Sequence, residues 1–328
     1  MRVGVIGAGA VGGTIAALLS RAGHDVEVTA RGDNLEAIRT GGLRLSGAWG
    51  EYTAPVLAGE RLSRSPELAI VATKAADAER ALRDNAEQLS GIPVVVVQNG
   101  MRGLTTAREV LRHSDVLGGL AMFAASYLSP GEISVTTAGA TYLGNDDPGL
   151  EVQYAAGILG AVMPVTVTRN FAGAQWSKLV VNQINALPAI TGLSAQATIA
   201  DRRLRRVLTK SMQEAVRVSL ASGVRFARLQ GLSHGLLALF RRLPEPLAQA
   251  LPLMMKWRMG STPNPGSTLQ SIRRGQKTEI DYLNGAVVEA GRGVSLPTPV
   301  NAAITAMVHE VERTGAFLSP DEVVARLK

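Results

Sequence analysis

The apolar positions along the chain change their period once. Residues 3–6, 68–72 and 93–97 are short unbroken runs of Val, Ile, Ala and Leu. Such runs suit strands of a parallel sheet covered on both faces. Residues 25–30 and 116–120 read as further strands, with helices over 14–19, 77–89 and 150–159 and a last short strand over 165–168. Residues 132–135 and 140–143, separated by turn formers, suggest a hairpin at the sheet edge. From Gly173 onward the periods are helical, with almost no strand signal. The pattern predicts a Rossmann-type α/β fold over residues 1–168, followed by an all-α domain over residues 169–328. The stretch 231–265, rich in Pro, Gly, Arg and Leu, reads as short helices in an excursion. Its Leu, Met, Phe240 and Trp257 content is more than a small hairpin buries. It is expected against a partner subunit, as in a homodimer, or over a cleft; extension of the helical core is the rival.

The first strand leads into Gly7-Ala8-Gly9-Ala10-Val11-Gly12, a G-x-G-x-x-G spacing that opens a helix. The first glycine permits the tight turn. The second lets backbone approach a pyrophosphate, and the third lets helix and strand pack closely. The helix N-terminus then offers free N–H groups to the anion. A structural glycine turn has the same letters, but the strand before and the helix after are the context that dinucleotide binding requires.

Composition narrows the chemistry. The 328 residues are 46% hydrophobic and 19% charged, enough for sizeable cores in about two domains. Aromatics are only 4%, so those cores rest on Ala, Val, Leu and Ile. With no cysteine there are no disulfides, thiol nucleophiles or Cys-ligated metals, which fits a reducing cytoplasm. His24, His113, His234 and His309 are scattered without metal-ligand spacing, and no metal site is expected. The net charge of +7 favours anionic partners. The basic residues are dispersed and not interleaved with aromatics, so a nucleotide phosphate and a small carboxylate are expected in place of nucleic acid. No run of 18 apolar residues occurs, so no membrane span is expected.

NAD-binding domains place a carboxylate near the tip of the second strand, where it holds the ribose 2′-hydroxyl. Here Glu27 lies inside that strand, Asp33 follows the turn, and Arg31 stands at the tip. A guanidinium can grip a 2′-phosphate bidentately, which favours NADP over NAD; a solvated loop arginine is the plainer alternative. Two other strands end in Thr73-Lys74 and Gln98-Asn99-Gly100, facing the crevice where open sheets bind ligands. In the helical half, Lys178, Asn182 and Asn185 fall at i, i+4 and i+7, one face of a largely apolar helix. Such a polar stripe is satisfied by neighbouring helices or by a ligand. Asn264-Pro265-Gly266-Ser267 turns into another helix, with Ser267 near an N-terminus suited to a carboxylate. Gly275 ends that helix, and residues 278–289 begin the next, with Glu279 and Asp281 in its first turn.

These pieces together resemble the ketopantoate reductase family along nearly the whole chain. The match rests on the N-terminal glycine turn, Arg31, Thr73-Lys74, Gln98-Asn99-Gly100-Met101, Trp176-x-Lys178-Leu179-x-x-Asn182, Asn264-x-x-Ser267 and Thr278-Glu279-Ile280-Asp281-Tyr282-x-Asn284-Gly285. The resemblance implies reduction of 2-dehydropantoate to pantoate in pantothenate biosynthesis. NADPH would bind the first domain and the 2-oxo acid the cleft between domains. It implies Lys178 as proton donor, with Glu279 beside the chemistry. Asn99, Asn182, Asn185, Asn264 and Ser267 would serve the substrate, and Lys74, Asn99, Ala125 and Glu279 the cofactor side. Asn185 lies one residue closer to the lysine than its counterpart in some members, and the segment before Asn264 is longer than in compact members. A reductase of another 2-oxo acid, or a non-catalytic NADP(H) sensor, are the alternatives on the same scaffold.

Overall fold

Each apolar run in the first half forms a buried strand of one sheet. The computed structural model describes residues 1–145, 149–260 and 263–327. The chain divides into two compact units, Met1–Phe171 and Ala172–Lys328.

In the first unit the elements run β1 (Arg2–Ile6), α1 (Ala10–Arg21), β2 (Asp25–Thr29), α2 (Gly32–Gly41), β3 (Leu43–Gly47), β4 (Tyr52–Ala54), β5 (Leu57–Gly59) and β6 (Leu68–Val71). Then come α3 (Ala78–Asp84), α4 (Ala86–Leu89), β7 (Pro93–Val97), α5 (Gly103–Val110), β8 (Asp115–Ala121), β9 (Ala124–Ser129), β10 (Glu132–Thr137), β11 (Thr141–Gly144), α6 (Leu150–Gly160) and β12 (Val165–Thr168). The main sheet has the order β12-β11-β8-β7-β6-β1-β2-β5. All its pairings are parallel except β11 with β8. Val3, Val5, Ile6, all of β6 and residues 94–97 are buried. Each such Val, Leu or Ile side chain contributes roughly 1.5–3 kcal/mol on leaving water.

A second, four-stranded sheet, β4-β3-β10-β9, stands apart. Helix α1 packs on β1 and β2 by one face and on β3, β4, β9 and β10 by another. The expected edge hairpin does not form. Residues 132–135 pair with β9 and β3 in the small sheet, whereas residues 141–144 pair with β8 and β12 in the main one. The physical reason is the close passage at Gly139, where an added Cβ would lie 2.5 Å from the Met122 carbonyl oxygen. The chain changes sheets there. The helix expected over 77–89 is broken at Asn85, whose buried side chain accepts from Leu62 N–H and donates to Ala81 C=O.

The second unit is helical: α7 (Phe171–Asn182), α8 (Ala186–Thr191), α9 (Ala195–Ala200), α10 (Arg202–Ala221), α11 (His234–Phe240), α12 (Glu245–Ala248), α13 (Ala250–Arg258), α14 (Gly266–Arg273), α15 (Asn284–Gly293), α16 (Pro299–Thr314) and α17 (Pro320–Ala325). The long α10 is its axis, touching α9, α15, α16 and α17. Its N-terminus is capped by Asp201, which accepts from Arg203 and Leu204 N–H. The excursion of 231–265 rests on this core: α11, α12 and α13 lie on α10, with Leu237, Phe240 and Ala248 buried. It still leaves Leu239, Leu247 and Trp257 facing solvent, Trp257 at 82% exposure. No helix of the described residues is long and apolar enough to cross a membrane.

Candidate functional site

The glycine turn is steric in origin. Gly7 has φ +99°, and a Cβ there would lie 2.9 Å from the Thr73 backbone nitrogen. At Gly12 a Cβ would fall 2.1 Å from the Gly7 carbonyl oxygen, an impossible approach. At Gly9 a Cβ would meet nothing within 4 Å. The two outer glycines are required by the protein itself, whereas the middle one borders open space. Gly7 N–H donates to Thr29 Oγ1 and Ala8 N–H to Thr29 C=O, both at 3.0 Å. Asn34 fixes the turn from the far side, donating to Ala8 C=O at 3.0 Å and accepting from Gly131 N–H at 2.9 Å. Ala10 and Val11 begin α1, whose first turn holds no acidic side chain. Its leading N–H groups lack intrahelical acceptors. A pyrophosphate fits this cradle: room at Gly9, N–H donors, and a positive helix end.

The strand tips carry the polar groups. Glu27 is buried and accepts from Ser63 N–H at 2.7 Å, so it is consumed inside the fold. Arg31 stands just beyond β2, 43% exposed. Lys74, half-buried, opens a 3-10 turn over Ala75–Asp77 after β6. Gln98 ties the neighbouring tip to it, donating to Thr73 C=O at 2.9 Å and Thr73 Oγ1 at 3.0 Å. Asn99 follows, half-buried, with Gly100 at φ +85° behind it. Ala125 lies on β9 of the small sheet, opposite Val135.

In the helical unit Lys178 and Asn182 share α7, but the helix does not continue to Asn185. Residues Gln183–Asn185 tighten into a 3-10 turn. The expected continuous i, i+4, i+7 stripe is therefore corrected to an α-helical step and a 3-10 step. Since i and i+3 eclipse in a 3-10 turn, Asn185 overlies Asn182. Asn185 also reaches α14: a Cβ on Gly266 would lie 2.8 Å from its Oδ1. Asn264 Oδ1 accepts from Gly266 N–H at 2.8 Å, and Ser267 is exposed in the first turn of α14. Asn185, Asn264 and Ser267 thus gather at one helix N-terminus.

Lys178 is half-buried. Desolvation pushes its ammonium down to about 8, and the charge of Glu279 pulls it partly back up. The helix expected over 278–289 with Glu279 in its first turn does not form as such: Glu279 precedes a 3-10 turn, Ile280–Tyr282, and Leu283 interrupts before α15. Two supports of this strip were missed in the sequence. Glu312 accepts from Thr278 N–H at 2.7 Å. His309 lies 2.7 Å from Glu312 and 2.8 Å from Asp281. Beneath the 3-10 turn after Asn182, the buried Gln183, Ser211, Asn284 and Asn301 hydrogen-bond to one another, and Glu214 accepts from Asn301. Only Asn284 carried a sequence signal, as part of the motif with Gly285.

A glycine cradle on a doubly wound sheet, followed by a helical unit with a depressed lysine, defines a two-unit oxidoreductase of Rossmann type. The chain belongs to the ketopantoate reductase family. The family model described as "Ketopantoate reductase PanE/ApbA" matches residues 3–148, and "Ketopantoate reductase PanE/ApbA C terminal" matches residues 170–312. Among curated relatives, the 2-dehydropantoate 2-reductase of Pyrococcus horikoshii is 26% identical, covering 96% of this chain and 99% of the relative. That of Halobacterium salinarum is 29% identical, covering 96% and 100%. Among solved structures, a PanE/ApbA family ketopantoate reductase from Ralstonia eutropha superposes with a TM-score of 0.80 at 29% identity, covering 95% of this chain and 99% of that one. A D-mandelate dehydrogenase solved with NADH and anilino(oxo)acetate shares the fold, with a TM-score of 0.81 at 20% identity, covering 96% and 99%.

Proposed function

We propose that the protein reduces 2-dehydropantoate to pantoate with NADPH, as a step of pantothenate biosynthesis. The observation that carries this reading is Lys178, depressed to about 8 beside Glu279 within the family's own motifs. When bound, the dihydronicotinamide supplies a hydride to the C2 carbonyl carbon. Lys178 holds the proton that the C2 oxygen needs as negative charge grows there. An ammonium near 8 is mostly protonated at neutral pH yet gives up its proton far more readily than an ordinary lysine. Glu279 keeps it charged, and the buried setting strengthens its attraction for an alkoxide. Ser267 and the N–H groups opening α14 suit the substrate carboxylate, and the amides of Asn182, Asn185 and Asn264 suit its hydroxyl end. In the first unit, Gly7, Ala8, Gly9, Ala10, Val11 and Gly12 cradle the pyrophosphate. Arg31 takes the 2′-phosphate, while Lys74, Asn99 and Ala125 border the cofactor.

The same fold in a D-mandelate dehydrogenase makes substrate choice the point to test. The assay is oxidation of NADPH, with NADH in parallel, across a panel of 2-oxo acids. The expected result is the highest kcat/KM with 2-dehydropantoate and NADPH. Faster turnover of an aryl or unbranched 2-oxo acid would reassign the substrate. No turnover with any of them would leave a dinucleotide sensor.

A further inference from the structure

Arg31 has a twin. β2 and β5 run parallel with Thr29 opposite Gly59, and Ala30 N–H donates to Gly59 C=O at 2.9 Å. Arg31 and Arg61 each lie two positions beyond their member of that pair. Two neighbouring strands thus deliver guanidinium groups at the same level, at the carboxyl ends where open sheets bind ligands.

Both side chains converge on one carboxylate at the end of α3. Arg31 Nη2 is 3.6 Å from Asp84 Oδ2, and Arg61 Nη2 is 3.5 Å from Asp84 Oδ1. Tight charge-assisted bonds are about 2.7–2.9 Å. Asp84 therefore gathers the two cations without clamping them. Arg61 is 67% exposed and Asp84 29%, so the group opens to solvent. Two cations against one anion leave a surplus positive charge.

The backbone under Arg61 is held firmly. Leu62 N–H donates to Asn85 Oδ1 at 2.8 Å, and Ser63 N–H to Glu27 Oε1 at 2.7 Å. Asn85 and Glu27 are themselves buried. Gly59 lets the chain fold back at this point, since a Cβ there would lie 2.7 Å from the Arg61 carbonyl oxygen. A mere surface ion cluster contributes little and needs no such anchoring.

We infer that Arg61 is a second specificity-determining residue, and that Arg31 and Arg61, gathered by Asp84, form a two-guanidinium seat for the 2′-phosphate of NADPH. The inference rests on the NADPH reading given above. A phosphate has oxygens for two forks, and an uncharged ribose 2′-hydroxyl has no use for a second cation. Asp84 is a stand-in anion that keeps the forks aimed at one point until the phosphate arrives.

The test is calorimetric titration of the full-length protein with adenosine 2′,5′-bisphosphate and with 5′-ADP, which needs no turnover. Arg61→Ala is expected to weaken the 2′,5′-bisphosphate about 10-fold, the scale of a lost charge-assisted hydrogen bond. Binding of 5′-ADP and the melting temperature stay as in the parent. If Arg31→Ala loses the 2′,5′-bisphosphate while Arg61→Ala binds it like the parent, the second seat is wrong and the NADPH reading stands. If the parent binds both nucleotides equally, the NADPH reading fails and this inference with it.

Discussion

The glycine cradle of the first unit and the lysine site of the second are built from opposite materials. The cradle is backbone. Its shape follows from where a Cβ cannot be, at Gly7 and Gly12, and it holds no titratable group in its first helical turn. The lysine site is side chain. Lys178 is shifted by burial and by Glu279, and the strip carrying Glu279 is tied to α16 through His309 and Glu312. A steric site tolerates any pH and no substitution at its crowded positions. An electrostatic site tolerates modest changes of shape but answers to pH.

The comparison breaks most visibly at Lys178. Lys178→Ala is expected to lower kcat roughly 10²-fold or more, the scale of a lost general acid. Dinucleotide affinity and melting temperature should hold. A folded variant with most of its kcat would take the lysine out of the chemistry. The cradle makes the next claim. Gly12→Ala should cost about 1–3 kcal/mol of stability through the clash with Gly7, read by denaturant unfolding. Gly9→Ala should leave stability within about 0.5 kcal/mol and weaken dinucleotide binding, because the space it fills is open in the protein and is the space proposed for the pyrophosphate. Equal destabilisation by both would contradict a cradle shaped for a ligand at its middle residue.

Smaller effects sharpen the electrostatic half. The proposed proton donor acts in its protonated form, so kcat/KM should fall as pH rises through about 8. Glu279 raises that value, so Glu279→Gln should move the basic limb to lower pH. An unmoved limb would separate Glu279 from the lysine. His309 gives the smallest signal. Burial disfavours its imidazolium, but hydrogen bonds to Glu312 and Asp281 and their charges leave it raised above 6.5. A raised folded value adds stability that is full below the unfolded value near 6.5 and lost as pH climbs through the folded one. Parent and His309→Ala should therefore differ in stability at pH 6, by under about 1 kcal/mol for a partly exposed group, and converge by pH 9. A gap that widens with pH would refute the clamp.

Local signals were readable and distant pairings were not. The strand at 93–97 stands where the pattern put it, because a buried strand needs only its own apolar run, and the one at 165–168 stands there on a half-buried Val-Thr alternation. The small sheet escaped. β3 alternates as Leu43-Arg44-Leu45-Ser46, yet its parallel partner is β10, far along the chain. Nothing near Glu132 announces that pairing. Helix breaks escaped for a related reason. Asn85 is an acceptable helix residue until Leu62 offers it an N–H, and Gln183 until the Ser211 hydroxyl and the Asn284 amide donate to its Oε1. At the candidate site, Arg31, Lys74 and Lys178 are visible as residue types at strand ends or on a helix face. Arg61, Asn34 and His309 become visible only with the partners the fold brings to them.

The buried amide cluster under the lysine helix sets an order of assembly. Gln183 receives Asn284 across 101 positions, and Ser211 reaches Asn301 across 90. Glu214 waits for the backbone of the same late helix, 87 positions on. A chain emerging from the ribosome has its Lys178 segment in solvent long before those partners exist. The first unit has every anchor of its glycine turn once Gly131 has appeared, just before β10. Nascent chains halted before residue 284 would have every anchor of the glycine turn but neither Asn284 nor Asn301 under the lysine helix, so the two halves of the proposed site mature at different times.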